Sequence, residues 1–176
     1  MPYLVDRMPF MAEPGEFLIG GERVLVRAEQ IIVWVSLSLH RRAEPNPSAV
    51  PFPVIVDTGH THSFSIQERH LVEWAGLRPE ALGIVGAVRD RGNRVLLRTA
   101  NIWVHPNKKG RRDLLAGGPL KRLKAKQGIA VYPDGDFPRL PILGLRVISE
   151  NGLILTVDGR RREATLRTSE KWWPFG

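Results

Sequence analysis

Pro53-Val-Ile-Val-Asp-Thr-Gly-His-Thr-His62 is the segment that decides how this chain is interpreted. Its apolar residues predict a buried β-strand that ends on the carboxylate of Asp57. Gly59 permits a sharp turn, which brings backbone N–H groups close to that carboxylate, and Thr58 adds a hydroxyl without bulk. The segment is therefore suited to presenting an acid on a rigid support. The simpler alternative is an ordinary strand that ends in an Asx-type turn.

A second informative segment lies far downstream, at Leu140-Pro-Ile-Leu-Gly-Leu145. Together with the Asp57-Thr-Gly59 motif it resembles the retropepsin-like aspartic proteases, in particular their single-lobe bacterial members. In that family an apolar-apolar-Leu-Gly segment packs beside the catalytic loop, and a short helix and a last strand follow. The resemblance implies a helix over Arg146–Glu150 and a strand over Gly152–Asp158, and the order of elements matches from about residue 22 to residue 168.

The implied fold is mainly β, a closed barrel-like sheet of one lobe with one or two short helices. Alternation of apolar and other residues over Val33–Leu39 predicts a half-buried strand, within a longer strand or hairpin that begins at Arg23. Ser65-Ile-Gln-Glu68 matches the capping-box pattern and predicts a helix over Ile66–Ala75. Apolar runs on both sides of Arg89-Asp-Arg-Gly-Asn93 predict a hairpin.

The resemblance identifies this hairpin as the flap that closes over a bound peptide. Its tip supplies one group of candidate substrate-binding residues, and the loop after Gly59 supplies the other. These candidates are His60, Thr61, Asp90, Arg91, Gly92 and Asn93. The alternative is an ordinary surface hairpin.

Three further segments complete the predicted organisation around a domain at 21–170. Residues 1–20 lack a clear period and are interpreted as a tail or irregular arm. Residues 105–139 are interpreted as a basic insertion with at most one short helix, Pro119–Lys126. Residues 171–176 form an aromatic-rich tail.

The resemblance assigns Asp57, Thr58 and Gly59 to catalysis. Hydrolysis by this route needs two carboxylates that share one proton, because two like charges so close do not both ionise cheaply. The sequence contains one apolar-Asp-Thr-Gly segment, and Asp134 and Asp158 lie in turn-like sequences. The family solution is a homodimer in which Asp57 of each subunit meets on a two-fold axis. No cofactor is implied.

His60 departs from the family pattern, which has a small residue after the glycine. Near its reference pKa of about 6.5 a histidine gains a proton, and that charge would favour ionised Asp57 and oppose the shared proton. A metal site is a second interpretation, because His60 and His62 lie on one side of an extended segment with Asp57 close by. The only further histidine nearby in the sequence, His70, falls on the following helix, so we expect no metal.

Composition limits the other functions. The 176 residues suffice for one domain with a core, and no apolar run approaches the roughly 18 residues of a membrane span. The chain has no cysteine and no recognisable leader, from which we expect a cytoplasmic protein. The net charge of +8 includes two basic runs, Lys108–Arg112 and Lys121–Lys126, but neither has the interleaved aromatic residues that stack on bases.

Three functions follow from the sequence. The first is a dimeric aspartic endopeptidase that acts on a peptide or protein substrate. The second is a catalytically weak or inactive module on the same fold that binds peptides or dimerises. The third is a nucleic-acid-associated protein whose partner is held by the basic region 108–126, which the missing aromatic residues disfavour.

Overall fold

The computed structural model describes residues 3–119, 121–135 and 137–169, so the aromatic tail at 171–176 lies outside it. The described residues form fourteen strands and two α-helices, which confirms a mainly β protein. The strands are β1 Tyr3–Pro9, β2 Gly15–Ile19, β3 Glu22–Val26, β4 Ile32–Ser38, β5 Phe52–Asp57, β6 Phe64–Gln67, β7 Ile84–Asp90, β8 Asn93–Arg98, β9 Asn101–His105, β10 Lys121–Leu123, β11 Ile129–Tyr132, β12 Ile142–Gly144, β13 Leu153–Asp158 and β14 Glu163–Thr168, and the helices are α1 Glu68–Glu73 and α2 Leu145–Glu150. Neither helix is long and apolar enough to cross a membrane.

The strands form three sheets. The largest has nine strands in the order β10-β9-β4-β5-β12-β6-β11-β8-β7, and the others are β1-β14-β13 and the hairpin β2-β3. The closed barrel that the sequence predicted is not found in the described part of the chain, where β10 and β7 are the outer strands of the large sheet. β10 is only three residues long, and β7 leaves much of its length exposed.

The central strand β4 is buried over its whole length, so the prediction of a half-buried strand is wrong. Its polar side chains make contacts inside the protein, one with a loop and one with the neighbouring strand β9. The indole N–H of Trp34 donates to the carbonyl of Arg112 at 2.7 Å, and the hydroxyl of Ser36 lies 2.8 Å from Nε2 of His105. The polar residues of β4 therefore alternate with apolar ones because they make contacts inside the protein, not because they face solvent.

The amino-terminal segment is ordered structure, so the prediction of an irregular arm over residues 1–20 is wrong for the part that the structure describes. β1 pairs antiparallel with β14, and β2 forms a hairpin with β3. Leu4, Val5 and Met8 are at most 2% exposed and belong to the core. Burial of these apolar side chains stabilises the strand although the sequence of this segment shows no clear period. β3 and β4 are separate strands, which corrects the longer strand or hairpin expected from Arg23.

The segment at 105–139 is part of the main sheet and not an addition to it. β11 lies between β6 and β8, and all four of its residues are buried. The helix predicted over Pro119–Lys126 is wrong for the residues described, because Lys121–Leu123 pair with β9 as a strand. Leu123, which is 1% exposed, anchors this strand in the core.

The helix after the Asp57 loop begins later than predicted. Phe64–Gln67 form β6, which pairs with β11 and β12, and α1 begins at Glu68. The hydroxyl of Ser65 contacts His60 instead of capping a helix. The residues that the capping-box pattern assigned to the first helical turn are thus paired in the sheet.

The other local predictions agree with the structure. α2 spans Leu145–Glu150, and the strand predicted after it is β13. The hairpin β7–β8 turns at Arg91 and Gly92, whose φ angles are 50° and 78°. This left-handed pair is the conformation that a two-residue hairpin turn requires.

Candidate active site

The Asp57 carboxylate stands at the exposed end of the mostly buried strand β5. Its Oδ1 accepts a hydrogen bond from the backbone N–H of Gly59 at 2.9 Å. The N–H of His60 donates to the Asp57 carbonyl at 3.2 Å, which closes the turn. Thr58 and Gly59 are exposed at its apex. The strand ends on this carboxylate, as the sequence predicted, and the turn leaves it open to solvent.

The segment Leu143-Gly144 lies directly beside this loop. β12 runs between β5 and β6, and Gly144 pairs with Asp57 in register. The N–H of Gly144 donates to the carbonyl of Ser63 at 3.0 Å. A Cβ atom at position 144 would lie 2.0 Å from the carbonyl oxygen of His62. Only glycine fits here, because the loop passes so close to the strand.

The tip of the β7–β8 hairpin reaches the same loop from the other side. Oδ2 of Asp90 accepts a hydrogen bond from the hydroxyl of Tyr132 at 2.5 Å and lies 3.9 Å from Nε2 of His62. The guanidinium of Arg91 lies 3.9 Å from the ring centroid of Phe137. The structure therefore brings Asp90 and Arg91 to the Asp57 loop.

The remaining sequence candidates are more peripheral. Gly92 and Asn93 are exposed at the end of the hairpin, and Thr61 is exposed on the loop. No protein atom lies within 4 Å of a Cβ built on Gly92. These three positions are exposed, whereas His60 is half-buried.

Sequence reasoning missed two members of the site, Tyr132 and Phe137. With His60 and His62 they form a cluster of rings whose centroids are 5.2–6.3 Å apart. Both lie in the segment interpreted as an insertion. The available signal was the apolar run over Ile129–Tyr132, which is typical of a buried strand.

His60 is less easily protonated than its sequence position suggested. Burial, and then the neighbouring His62, lower its pKa below the usual 6.5, and the carboxylates of Asp57 and Asp90 offset part of this. Its Nε2 lies 2.7 Å from the hydroxyl of Ser65. The positive charge expected beside Asp57 is therefore displaced to lower pH.

The hydroxyl of Tyr132 remains a donor over the whole physiological range. Burial, and then its hydrogen bond to Asp90, raise its pKa above the usual value. Burial also lowers the pKa of His62, which Asp90 partly offsets. Near neutral pH both groups thus face the Asp90 carboxylate in their uncharged forms.

The alternative metal site receives no support from the geometry. Within the described residues no three His, Cys, Asp or Glu side chains converge as ligands. His70 is buried and stacks on Trp74, with ring centroids 3.8 Å apart. Its ring is thus engaged elsewhere in the core.

Comparison with known proteins adds no relative. No family model, no curated protein and no solved structure matches this chain. The resemblance to retropepsin-like proteases therefore rests on the sequence motifs alone.

Proposed function

We propose that the protein is a homodimeric aspartic endopeptidase with a retropepsin-like fold. The observation that supports this most directly is the exposed Asp57 carboxylate, which the Gly59 N–H holds at the end of β5. The close passage of Gly144 under the loop and the hairpin tip at Asp90 complete the arrangement.

The proposal requires a dimer, because the carboxylates of Asp90, Asp134 and Asp158 each accept a hydrogen bond that holds local structure. Asp90 accepts the Tyr132 hydroxyl. Asp134 accepts the N–H of Arg69, and Asp158 accepts the N–H of Arg161 in its own turn. The second acid in this proposal is Asp57 of the other subunit, on a two-fold axis.

The surface around Asp57 suits such a contact. Thr58 is exposed at the apex of the loop, and Leu145, which directly follows Gly144, is 49% exposed. In the dimer the Thr58 hydroxyls reach the partner loop and hold the two loops together.

The chemistry follows from the shared proton. The ionised carboxylate of the pair takes a proton from water, which then attacks the peptide carbonyl, and the protonated member donates a hydrogen bond to the carbonyl oxygen. No covalent intermediate forms. The lowered pKa of His60 supports this mechanism, because it displaces to lower pH the positive charge that opposes the shared proton.

The substrate in this proposal is a peptide or unfolded protein segment. It lies between the Asp57 loop and the hairpin tip, where Arg91, Gly92 and Asn93 contact it from one side. His60 and Thr61 contact it from the other.

The decisive experiment is cleavage of a denatured protein across a pH series. Asp57→Asn should abolish cleavage and keep the fold, because an amide does not activate water. Asp158→Asn is the matched control and should retain activity, since its carboxylate serves a surface turn. Cleavage by Asp57→Asn, or equal loss in Asp158→Asn with an intact fold, would contradict the assignment.

Mixing the subunits tests the shared site. If wild type and excess Asp57→Asn exchange subunits, activity should fall below the value expected from the amount of wild type. At equal amounts about a quarter of the dimers carry two intact carboxylates. Activity in strict proportion to wild type, or an active monomer in sedimentation, excludes the dimeric mechanism. A dimer that binds peptides but cleaves none at any pH favours the peptide-binding module instead.

A further inference from the structure

A cavity of about 480 Å³ is lined by residues of β9, of β10 and of the segments that follow β4 and β10. Four of its lining side chains are basic, namely His40, Arg122, Lys124 and Lys126. Among the described residues no Asp or Glu lines it. A concave surface of one charge concentrates ligands of the opposite charge.

The three longer basic residues of the cavity lie close together in the chain. Arg122 is in β10, Lys124 directly follows that strand and Lys126 stands in the turn after it, and all three are exposed. Leu123, between the first two, points the other way and is 1% exposed in the core. The basic run at 121–126, which has no part in the proposed peptidase, thus has one charged face.

These charges are uncompensated. Within the described residues no carboxylate lies within 4.0 Å of the charged atoms of Arg122, Lys124 or Lys126. The carboxylate of Glu150 is near, but its Oε2 accepts the backbone N–H of Lys126 at 3.2 Å. The cavity therefore keeps a net positive charge.

The backbone on both sides of the cavity is held in place. The side chain of Asn151 donates to the carbonyl of Lys124 and accepts its N–H, each at 2.8 Å. Across the cavity the side-chain amide of Asn101 donates to the backbone carbonyl oxygens of His40 and Arg42 at 3.3 and 2.8 Å. A fixed backbone lowers the ordering cost of binding.

We propose that this cavity binds a small organic phosphate. Three positive charges are more than a ligand with a single carboxylate would neutralise. A phosphate ester carries a charge near −2 and offers three acceptor oxygens. A guanidinium such as that of Arg122 pairs with phosphate through two parallel hydrogen bonds. The volume exceeds that of a bare phosphate, and Val85 and Ala100 provide apolar lining for the organic part.

A competing explanation is that the lysines only protect an exposed sheet edge. β10 is an outer strand, and edge strands often carry lysine to prevent association. That role needs charge but no ligand. A test must therefore separate a local site from general positive charge.

The test is a titration with phenyl phosphate, with inorganic phosphate and a single-stranded oligonucleotide as further probes, followed by backbone NMR shifts. The site variant is Arg122→Gln/Lys124→Gln/Lys126→Gln. The matched control is Lys108→Gln/Lys109→Gln/Arg111→Gln, which removes the same charge from the other basic run. All three control residues are exposed and none lines the cavity.

Phenyl phosphate should bind more tightly than inorganic phosphate and shift the amides of residues 99–101 and 122–128. The site variant should weaken this binding at least about tenfold, the equivalent of about 1.4 kcal/mol, and the control should change it less than about twofold. No binding by the wild type, or equal weakening in the two variants, overturns the proposal. If the oligonucleotide binds most tightly of the three probes and both variants weaken its binding equally, the two basic runs bind nucleic acid and the proposal is wrong. Because these readouts do not involve cleavage, the result is independent of the proposed peptidase.

Discussion

Close contact around Gly144 shows how one residue determines the geometry of the candidate site. The loop after Asp57 passes over Gly144, so that the His62 carbonyl occupies the space of a side chain. The carboxylate is thereby held against a strand that is far away in sequence. The Leu-Gly motif is therefore a steric requirement of the loop.

Gly144→Ala should destabilise the protein by about 2–4 kcal/mol, because the loop must move to admit a methyl group. Urea unfolding measures this change. Gly159→Ala is the control, since no atom lies within 4 Å of a Cβ at that position. We expect the control to change stability by less than about 0.5 kcal/mol. Equal stability of the two variants would show that the loop does not pass so close.

His60 should titrate with a midpoint below 6.5, because its burial disfavours the imidazolium. An NMR pH titration of the ring measures this directly. If the enzyme is active, His60→Ala should raise cleavage only on the acidic side of that midpoint, where the wild-type imidazolium opposes the shared proton. His40→Ala, at an exposed histidine, should leave the profile unchanged. A His60 midpoint at or above 6.5 would contradict this account.

At the scale of elements, the β7–β8 hairpin is joined to the rest of the site through few side chains. Asp90 accepts a hydrogen bond from the Tyr132 hydroxyl and faces His62, and the guanidinium of Arg91 lies over the ring of Phe137. β7 itself is an outer strand and leaves Ile84 and Val85 more than half exposed. The position of the tip thus depends on contacts near Asp90 more than on the burial of the strand.

Tyr132→Phe should loosen the hairpin tip. Loss of the hydrogen bond to the Asp90 carboxylate removes about 1 kcal/mol of stability, and amide hydrogen exchange at residues 89–94 should become faster. The control is Tyr3→Phe, at a tyrosine that is 46% exposed on β1. Unchanged exchange in Tyr132→Phe would show that the tip is held by other contacts.

At the scale of the whole molecule, two buried histidines make stability depend on pH. His70 and His105 are 1% and 7% exposed, and burial lowers the pKa of each from 6.5 to about 4. The unfolded chain binds protons at these positions before the folded chain does. Stability is therefore complete above about pH 6.5 and falls as the pH decreases towards 4.

The loss should be about 3 kcal/mol for each of the two histidines, measured as the difference in unfolding free energy between about pH 7 and about pH 4. His70→Phe keeps a ring against Trp74 and removes one titrating group, so this difference should shrink. His40→Phe serves as the control, because His40 is exposed. An unchanged pH dependence in His70→Phe would mean that His70 is protonated in the folded protein.

Local signals in the sequence predicted the structure correctly where the residues of one short segment determine its backbone conformation. The strand that ends at Asp57 and the turn of the following hairpin were predicted from their own residues, whereas the helix after Gly144 was expected from the family resemblance. A buried apolar run and a turn sequence that contains glycine each restrict the backbone over a few residues. The mainly β class followed from the same signals.

The tertiary structure decided what depends on contacts between distant segments. It placed β11 in the middle of the sheet, and with it Tyr132 beside Asp90. It also converted Ser65 from an expected helix cap into a partner of His60, and it lowered the pKa of that histidine by burial. Pairing partners, burial and the resulting protonation states depend on the whole chain, whereas the position of Asp57 at the end of its strand was already determined by the sequence around it.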